Sequence, residues 1–222
     1  MASEVDICNI ALAHLGDVAN VSAINPPDGS AQAVHCARFY PVARDTLLES
    51  HPWGFATKRL NMALTTNTSN QWAYVYAGPS DVVNYLRVLD PNAVDDFSGT
   101  LALPNSLPGS VNAGQGLYTP QPFVVETDTT GADLVYTNQQ NAMLVYSALV
   151  TDPTRFSPLF TTTCALLLGS MLAGPIIKGS DGRAVAKQLR DEAMTWLGKA
   201  MSSDANQRRT NIAQSVSWMV NR

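Results

Sequence analysis

The feature that most constrains this fold is a long helical pattern that begins after Ser30 and ends abruptly at His51. Serine is a preferred N-cap because its hydroxyl accepts a hydrogen bond from the first turn of a helix. The apolar residues that follow recur at intervals of three and four, which places them along one side of a helix; they are Ala31, Ala33, Val34, Ala37, Val42, Ala43, Leu47 and Leu48. Pro41 predicts a kink near Ala37 to Pro41, because proline removes a backbone hydrogen bond. Pro52 predicts the helix end, because it biases His51 away from helical angles.

Helical signals also open the chain. Ser3, with Asp6 three residues later, resembles a capping box, and Gly16 is a typical helix end. These residues predict a first helix before the long one. After the long helix, the bulky segment Trp53-Gly54-Phe55-Ala56 predicts an apolar plug that ties the helix end to the next layer.

Two more helices are predicted after residue 151. Asp152-Pro153 and Ser157-Pro158 pair a cap with a proline at the first helical position. The predicted tight face of the third helix consists of Leu159, Thr163, Leu166, Leu167, Ser170 and Met171, and the small residues Gly169, Ala173 and Gly174 allow close contact before Pro175. A turn is predicted at residues 179–182. The fourth helix has an apolar stripe of Val185, Leu189, Ala193, Trp196 and Ala200, with Arg183, Lys187, Arg190, Asp191 and Lys199 on its other sides.

Between residues 60 and 150 the apolar period changes to two, which is typical of strands. Residues 71–78 alternate aromatic and small side chains and predict a strand with an aromatic face. Residues 123–128 and 132–137 flank a Thr-Thr-Gly turn and predict a hairpin, while residues 142–150 predict a longer apolar strand. The fold class expected is therefore α+β: a four-helix bundle (1–59 and 151–205) interrupted by an inserted antiparallel β domain (60–150), with an extended C-terminal tail (206–222).

Charge and composition limit the functions that such a chain can have. A formal net charge of −4 argues against a protein that binds nucleic acid by neutralising its phosphates, because such binding needs a basic stripe. Only 14% of the residues are charged, against about 25% in typical soluble domains. Either a partner covers much of the surface, or the surface is polar through Thr, Asn, Ser and Gln.

The cysteines and the most apolar stretch both suggest burial. Cys8, Cys36 and Cys164 are an odd number of thiols on predicted helices, and Glu4 and Asp6 interrupt any signal-peptide pattern, so we expect reduced core thiols made in a cytosol. Residues 156–177 are uncharged, but serines, threonines and two prolines shorten their continuous apolar run. We expect a buried helix there and no membrane span.

Patterns that carry chemistry are missing from the sequence. It contains no phosphate-binding glycine loop and no G-x-S-x-G elbow. His14, His35 and His51 do not have a zinc-ligand spacing with the cysteines. We therefore expect no catalytic residue, no metal and no cofactor.

Two segments remain outside the predicted elements. Residues 98–122 are rich in glycine and proline. Such a long segment is either an arm that reaches a neighbouring subunit or a flexible loop. The C-terminal segment carries cationic and apolar residues that we expect to contact a partner: Arg208, Arg209, Val216, Trp218, Met219 and Arg222.

Several of these stretches together resemble one protein family. They are Cys36-Ala37-Arg38-Phe39-Tyr40-Pro41, Arg44-Asp45, Leu47-Leu48, His51-Pro52-Trp53 and Phe55-Ala56, with the opening EVDICNIALAHLGD and the later DPTRFSPLFTTTCALLLGSMLAG. In this spacing the chain resembles the tail tubular protein A family, the head-to-tail adaptors of short-tailed bacteriophages. The resemblance covers roughly two thirds of the chain.

The resemblance implies a structural protein of the virion, located at the head-tail junction and synthesised in the host cytoplasm. Its copies, twelve in the family, would form a ring that joins the capsid portal protein to the tail nozzle protein, with genomic DNA passing through the lumen without specific binding. Two alternatives from other classes stay open. One is a small phage-encoded cell-wall hydrolase, and the other is a receptor-binding tail module that uses the aromatic strand.

Overall fold

The computed structural model describes residues 2–18, 20–67, 69, 71–91 and 121–207. They form a mixed helical and sheet fold of the α+β class, as the sequence predicts. The helices are α1 (Glu4–His14), α2 (Ala31–Ser50), α3 (Pro158–Ile177) and α4 (Gly179–Ala205), and a short 3-10 turn spans Pro153–Arg155. The strands are β1 (Thr57–Asn61), β2 (Tyr74–Ala77), β3 (Val82–Leu89), β4 (Phe123–Thr127), β5 (Asp133–Thr137) and β6 (Met143–Ala148).

The chain divides into two compact units. The helical unit consists of Met1–Thr57 with Ser147–Gln207, and the β unit contains Lys58–Tyr146. The first and last parts of the described chain therefore fold together, and the β unit lies between them in sequence.

Side-chain caps begin three of the four helices at the predicted residues. The Ser3 hydroxyl accepts from the Asp6 N–H at 3.1 Å, and the Asp6 carboxylate accepts from the Ser3 N–H at 2.8 Å, which completes the capping box. Ser30 and Ser157 cap α2 and α3 by accepting from the third residue of each helix, at 3.1 Å and 3.2 Å. Each cap satisfies a donor that the helix cannot satisfy itself.

α3 is the central helix of the helical unit. It packs against α1, α2 and α4, and residues 163–169 are buried without interruption. At Gly169 a side chain would meet Leu189 of α4 at 3.3 Å and the Ala11 carbonyl of α1 at 3.4 Å. The prediction of a single tight face was too narrow, because three helices surround α3. Among the described helices, α3 alone is long and apolar enough to cross a bilayer by length and composition.

α2 is continuous through Pro41 and ends before His51, as predicted. Its buried side differs from the predicted one, however. Cys36 and Tyr40 are buried, whereas Val34 is 43% exposed and Val42 is 52% exposed. The buried positions follow Ala33 at steps of three and four through residues 36, 40, 43 and 47, and the two valines lie off that line.

The connection between α3 and α4 is tighter than predicted. α4 begins at Gly179, so the turn is limited to Lys178 and Gly179, whose φ angles are 62° and 66°. Gly182 lies inside the helix and not in a turn. A Cβ there would lie 2.9 Å from the Ala173 carbonyl oxygen of α3, so glycine is needed for close helix packing.

The β unit contains two three-stranded sheets, in the orders β1-β6-β3 and β2-β5-β4. The predicted hairpin is confirmed, because β4 and β5 pair antiparallel with Thr127 opposite Asp133. β2 pairs antiparallel with the other edge of β5. The predicted aromatic strand is confirmed as β2, on which the Tyr74 and Tyr76 rings stack 6.4 Å apart.

Candidate interaction site at the end of the last helix

The interface residues predicted from the sequence lie outside the residues that the structure describes: Arg208, Arg209, Val216, Trp218, Met219 and Arg222. The glycine- and proline-rich segment also lies outside them, except for Gln121 and Pro122. What the structure does describe is the end of α4, from which the C-terminal segment continues.

α4 extends past the start of its partner helix. The two helices run antiparallel, since Ala173 approaches Gly182 and Gly169 approaches Leu189. α4 has 27 residues and α3 has 20. At a rise of about 1.5 Å per residue, α4 is longer by about 10 Å. Its last turn therefore needs contacts from another part of the helical unit.

Asp204 supplies those contacts. Its side chain is buried, and its two carboxylate oxygens accept the Gly54 N–H at 3.0 Å and 3.1 Å. The Nε2 atom of His51 lies 3.2 Å from the second oxygen, which places the two side chains within hydrogen-bond reach. We refer to His51, Gly54 and Asp204 as the Asp204 clasp. It joins the last turn of α4 to the segment that follows α2.

Gly54 allows this close approach. A Cβ at this position would lie 3.2 Å from an oxygen of Asp204, a separation that forces the carboxylate to move. The absence of a side chain therefore lets the carboxylate reach the backbone N–H directly. A buried carboxylate needs such donors, because burial without them carries a large desolvation cost.

An aromatic cluster holds the other side of the same segment. The Trp53 indole N–H donates to the Leu47 carbonyl at 2.7 Å, and its ring meets Phe160 edge-on at 5.1 Å. Phe55 contacts Phe156 at 5.7 Å and Phe160 at 5.2 Å. The predicted plug is confirmed. It packs the segment that follows α2 against the start of α3.

The clasp has the parts of a histidine-carboxylate pair but not those of a nucleophilic site. Such a pair assists catalysis when the imidazole also reaches a hydroxyl or a thiol. Within the described part of the chain, His51 makes no hydrogen bond to either kind of group. The His51 ring meets the Trp53 ring edge-on, with 4.9 Å between the two ring centroids. The arrangement is suited to fastening two segments together.

The three cysteines are buried and free, as predicted. The pKa of Cys8 is raised by its hydrogen bond with Cys36 and by burial. Burial raises the pKa of Cys164 to about 12. Cys8 and Cys164 therefore stay protonated near neutral pH and are poor nucleophiles, whereas the hydrogen bond with Cys8 lowers the pKa of Cys36.

Metal binding has no candidate in the described ranges, since no group of three or more His, Cys, Asp or Glu residues there could hold an ion. His14, His35 and His51 do not converge on the thiols to form one.

The β unit has its own polar contacts. The Asp81 carboxylate binds the Lys58 ammonium at 2.6 Å and accepts from the Tyr146 hydroxyl at 3.0 Å. The Lys58 hydrogen bond holds the pKa of Asp81 below its ordinary value. The Tyr85 hydroxyl donates to Asp133 at 2.8 Å. These contacts join residues of β1, β3, β5 and β6 to one another and to Asp81.

The sequence interpretation overlooked the Asp204 clasp, although one signal was present. Asp204 follows Ala200 by four residues and so continues the apolar stripe of α4. A charged residue at a core position of an amphipathic helix indicates a buried partner. Its partner Gly54 is 150 residues away in sequence, and no local pattern could identify it.

Comparison with known proteins does not identify the chain: no protein-family model matches it, and no curated protein matches it significantly.

Proposed function

We propose that the chain is a structural phage protein, a head-to-tail adaptor whose copies form a ring between the capsid portal and the tail nozzle. Its place would be the head-tail junction of the virion, after synthesis in the host cytoplasm. The resemblance of the α2, plug and α3 segments to the tail tubular protein A family supports this proposal. The ring would have twelve copies, as in that family, and no enzymatic activity.

The proposed architecture is a four-helix bundle interrupted by an inserted antiparallel β domain, with a C-terminal docking tail. The division of the chain into two units supports it, since residues on both sides of the β unit share the helical unit. In this arrangement the bundle serves as the body of the subunit.

The observation that carries the proposal is the Asp204 clasp. A tail that docks on a partner needs a fixed point of origin, because each flexible residue between the body and the docked part adds ordering cost. Asp204 is followed by only three more described residues, and its carboxylate is held at 3.0–3.1 Å by the Gly54 N–H. The clasp thus supports a firm origin for the segment that follows.

The partner of that segment would be the portal. Trp218 and Met219 would be its anchors, because burying a large side chain contributes about 2–3 kcal/mol. Arg208, Arg209 and Arg222 would pair with acidic portal groups. The net binding free energy of one tail is small, because ordering the flexible tail offsets much of the gain from its contacts. Attachment of the ring would therefore depend on many tails acting together.

Genomic DNA would pass through the lumen without being held. A net charge of −4 per chain supports an acidic wall, which repels the phosphate backbone. The isolated protein should then bind duplex DNA weakly at ordinary salt.

A truncation tests the tail. A chain that ends at Gln207 should fold as a soluble subunit, because it keeps every residue of the helical unit, yet it should no longer remain bound to the portal. Trp218→Ala should weaken the same binding to a lesser degree. Co-sedimentation with purified portal measures both variants, and thermal unfolding checks their folding. Full portal binding by the folded truncation would show that the tail has no docking role.

A further inference from the structure

The end of the β4-β5 hairpin is acidic. Val124 and Glu126 lie on one side of β4, because side chains alternate along a strand, and both are exposed. Asp128 follows in the turn, where its Oδ1 atom accepts from the Thr130 N–H at 2.7 Å, which holds this carboxylate at the end of the hairpin. We refer to Val124, Glu126 and Asp128 as the hairpin row.

Neither strand of the hairpin contains a cation. Val124 lies opposite Tyr136 in the β4-β5 pair, and Glu126 lies opposite Leu134. Glu126 makes no ion pair with another described residue. Residues 88–154 contain seven carboxylates and no Lys or Arg. The hairpin row therefore presents negative charge that its own surroundings in the sheet do not neutralise.

One side of α4 has the opposite charge. Arg183, Lys187, Arg190 and Met194 follow one another at steps of three and four, so they share one side of the helix. All four are exposed, with Met194 at 46%. None of the three cations makes an ion pair with another described residue. We refer to these four residues as the α4 stripe.

The carboxylates of the same helix lie away from the α4 stripe. At about 100° per residue, Asp181 and Glu192 lie on the far side of the helix, and Asp191 lies about 70° round from the middle of the stripe. Asp191 therefore flanks Lys187 but is not part of the stripe. A partner that approaches the stripe directly meets three cations and one exposed methionine.

The hairpin row and the α4 stripe match in spacing. Successive members of the hairpin row are about 6.6 Å apart, at about 3.3 Å per strand residue. At a rise of about 1.5 Å per residue, Met194 and Arg190 are about 6 Å apart along α4, and the midpoint of Lys187 and Arg183 lies about 7.5 Å further on. When β4 runs antiparallel to α4, the apolar side chains therefore meet each other and each carboxylate meets a cation. The pairs are Val124 with Met194, Glu126 with Arg190, and Asp128 with Lys187 and Arg183.

We propose that the hairpin row of one copy docks on the α4 stripe of the next copy, which makes this contact a subunit interface of the ring. This inference rests on the proposed ring function. Two different surfaces of one subunit meet in such a contact, so it is heterologous and propagates from copy to copy until a ring closes.

Charge complementarity selects a second copy as the occupant. Contact between two α4 stripes, or between two hairpin rows, would place like charges together. Duplex DNA could pair with the α4 stripe but would leave the hairpin row without a cation. Neither the cations of the stripe nor Glu126 has an ion-pair partner in the described chain, and another copy supplies the missing charge to both surfaces. The same contact covers cations that would otherwise attract DNA, which agrees with an acidic lumen.

The first test reverses charge in the central pair of the full chain. Arg190→Glu should weaken ring formation on the purified portal by on the order of tenfold, because an attractive pair becomes repulsive. Glu126→Arg should weaken it to a similar degree. A chain with both substitutions should regain part of the loss, because the reversed charges attract each other between neighbouring copies. No loss in the single variants, or no recovery in the combined one, would overturn the proposal.

Two control variants separate this pair from general effects of charge. Lys199→Glu changes a cation of α4 that lies off the stripe and contacts Trp196. Glu192→Arg changes an exposed carboxylate on the far side of the same helix. Both controls should leave ring formation unchanged, and thermal unfolding of every variant checks that its fold is retained. Equal weakening by the controls would contradict a specific contact.

The second test identifies which surfaces meet. Val124→Cys and Met194→Cys each introduce one exposed thiol, while the three native thiols are buried. A short bismaleimide should join the two variants to each other when they are mixed under ring-forming conditions, and it should not join either variant to itself. Cross-linking of one variant alone, or none in the mixture while rings form, would contradict the interface.

The outcomes separate this inference from the function beneath it. If the wild-type chain forms rings on the portal but Arg190→Glu and Glu126→Arg leave them intact, the interface is wrong and the adaptor function stands. If the wild-type chain forms no ring and does not bind portal, both fail. If Arg190→Glu leaves rings intact and lowers affinity for duplex DNA, the α4 stripe is a DNA-facing surface and the proposed interface is wrong.

Discussion

The helical unit and the β unit keep their polar contacts in different places. In the helical unit, hydroxyl caps lie at the helix starts, the centre is apolar around α3, and one buried carboxylate fastens the end of α4. In the β unit, the Tyr146 and Tyr85 hydroxyls donate to the carboxylates of Asp81 and Asp133, which are partly exposed. Apolar packing responds little to pH and salt, whereas exposed ionic contacts respond to both. The stability of the β unit should therefore depend more on pH and salt than that of the helical unit.

The largest loss of stability is expected when the aromatic plug is removed. Trp53→Ala should lower the free energy of unfolding by about 3–5 kcal/mol, because it opens a cavity in a packed core and leaves the Leu47 carbonyl without its indole donor. Trp72→Ala is the matched control in the β unit, where the ring is only half-buried. Urea unfolding followed by far-UV circular dichroism measures both variants. Equal losses would mean that the plug does not distinguish the helical unit.

The second largest loss of stability is expected when the Asp204 clasp is broken. Asp204→Ala leaves the Gly54 N–H and the His51 ring without their acceptor, so we expect a loss of about 1–3 kcal/mol. Asp191→Ala on the exposed side of the same helix should change stability little. Hydrogen exchange should also increase in residues 200–205 of the Asp204 variant. Unchanged exchange there would show that the last turn is held by something other than the clasp.

The smallest loss of stability is expected when the Asp81 contact of the β unit is removed, and its size should depend on pH. The pKa of Asp81 is lowered by Lys58 and Tyr146, so this contact stabilises the fold above the ordinary aspartate value of 3.8. That stabilisation is lost as pH falls through the lowered folded-state pKa. Asp81→Asn should cost less than about 1 kcal/mol at neutral pH, because the pair is exposed.

Urea midpoints of wild type and Asp81→Asn, measured from neutral pH into the acid range, test this dependence. The difference between them should be constant above the ordinary value and should shrink below it. A difference that grows on acidification would contradict the assignment of this contact. The same comparison made with Asp191→Ala should show no such trend, because that carboxylate has no ion-pair partner among the described residues.

What the sequence could predict depended on the distance between interacting residues. Each cap joins residues three positions apart, so Ser3, Ser30 and Ser157 were sufficient to predict the starts of three helices. The β4-β5 hairpin was equally local. The polar contacts between Tyr85 and Asp133 and between Asp204 and Gly54 span 48 and 150 residues. No local pattern contains both members of such a pair.

Two of the errors in the helical unit have a similar cause. The buried side of α2 was misjudged because the predicted apolar side included Val34 and Val42 and left out Tyr40 and Cys36, although Cys36 was expected to be a core thiol. Hydrophobicity alone does not reveal which side of a helix a neighbour covers. Gly182 suggested a turn because the approach of the Ala173 carbonyl cannot be seen in the sequence. β1 and β3 were not predicted individually, since their packing partners are distant strands.

The adaptor function is tested most directly by negative-stain electron microscopy of the full chain mixed with the portal protein of its phage. We expect a ring of this protein seated on one face of the portal, with an open central channel and twelve copies around it. Portal particles with no added density, together with a monomeric chain in the same mixture, would contradict it.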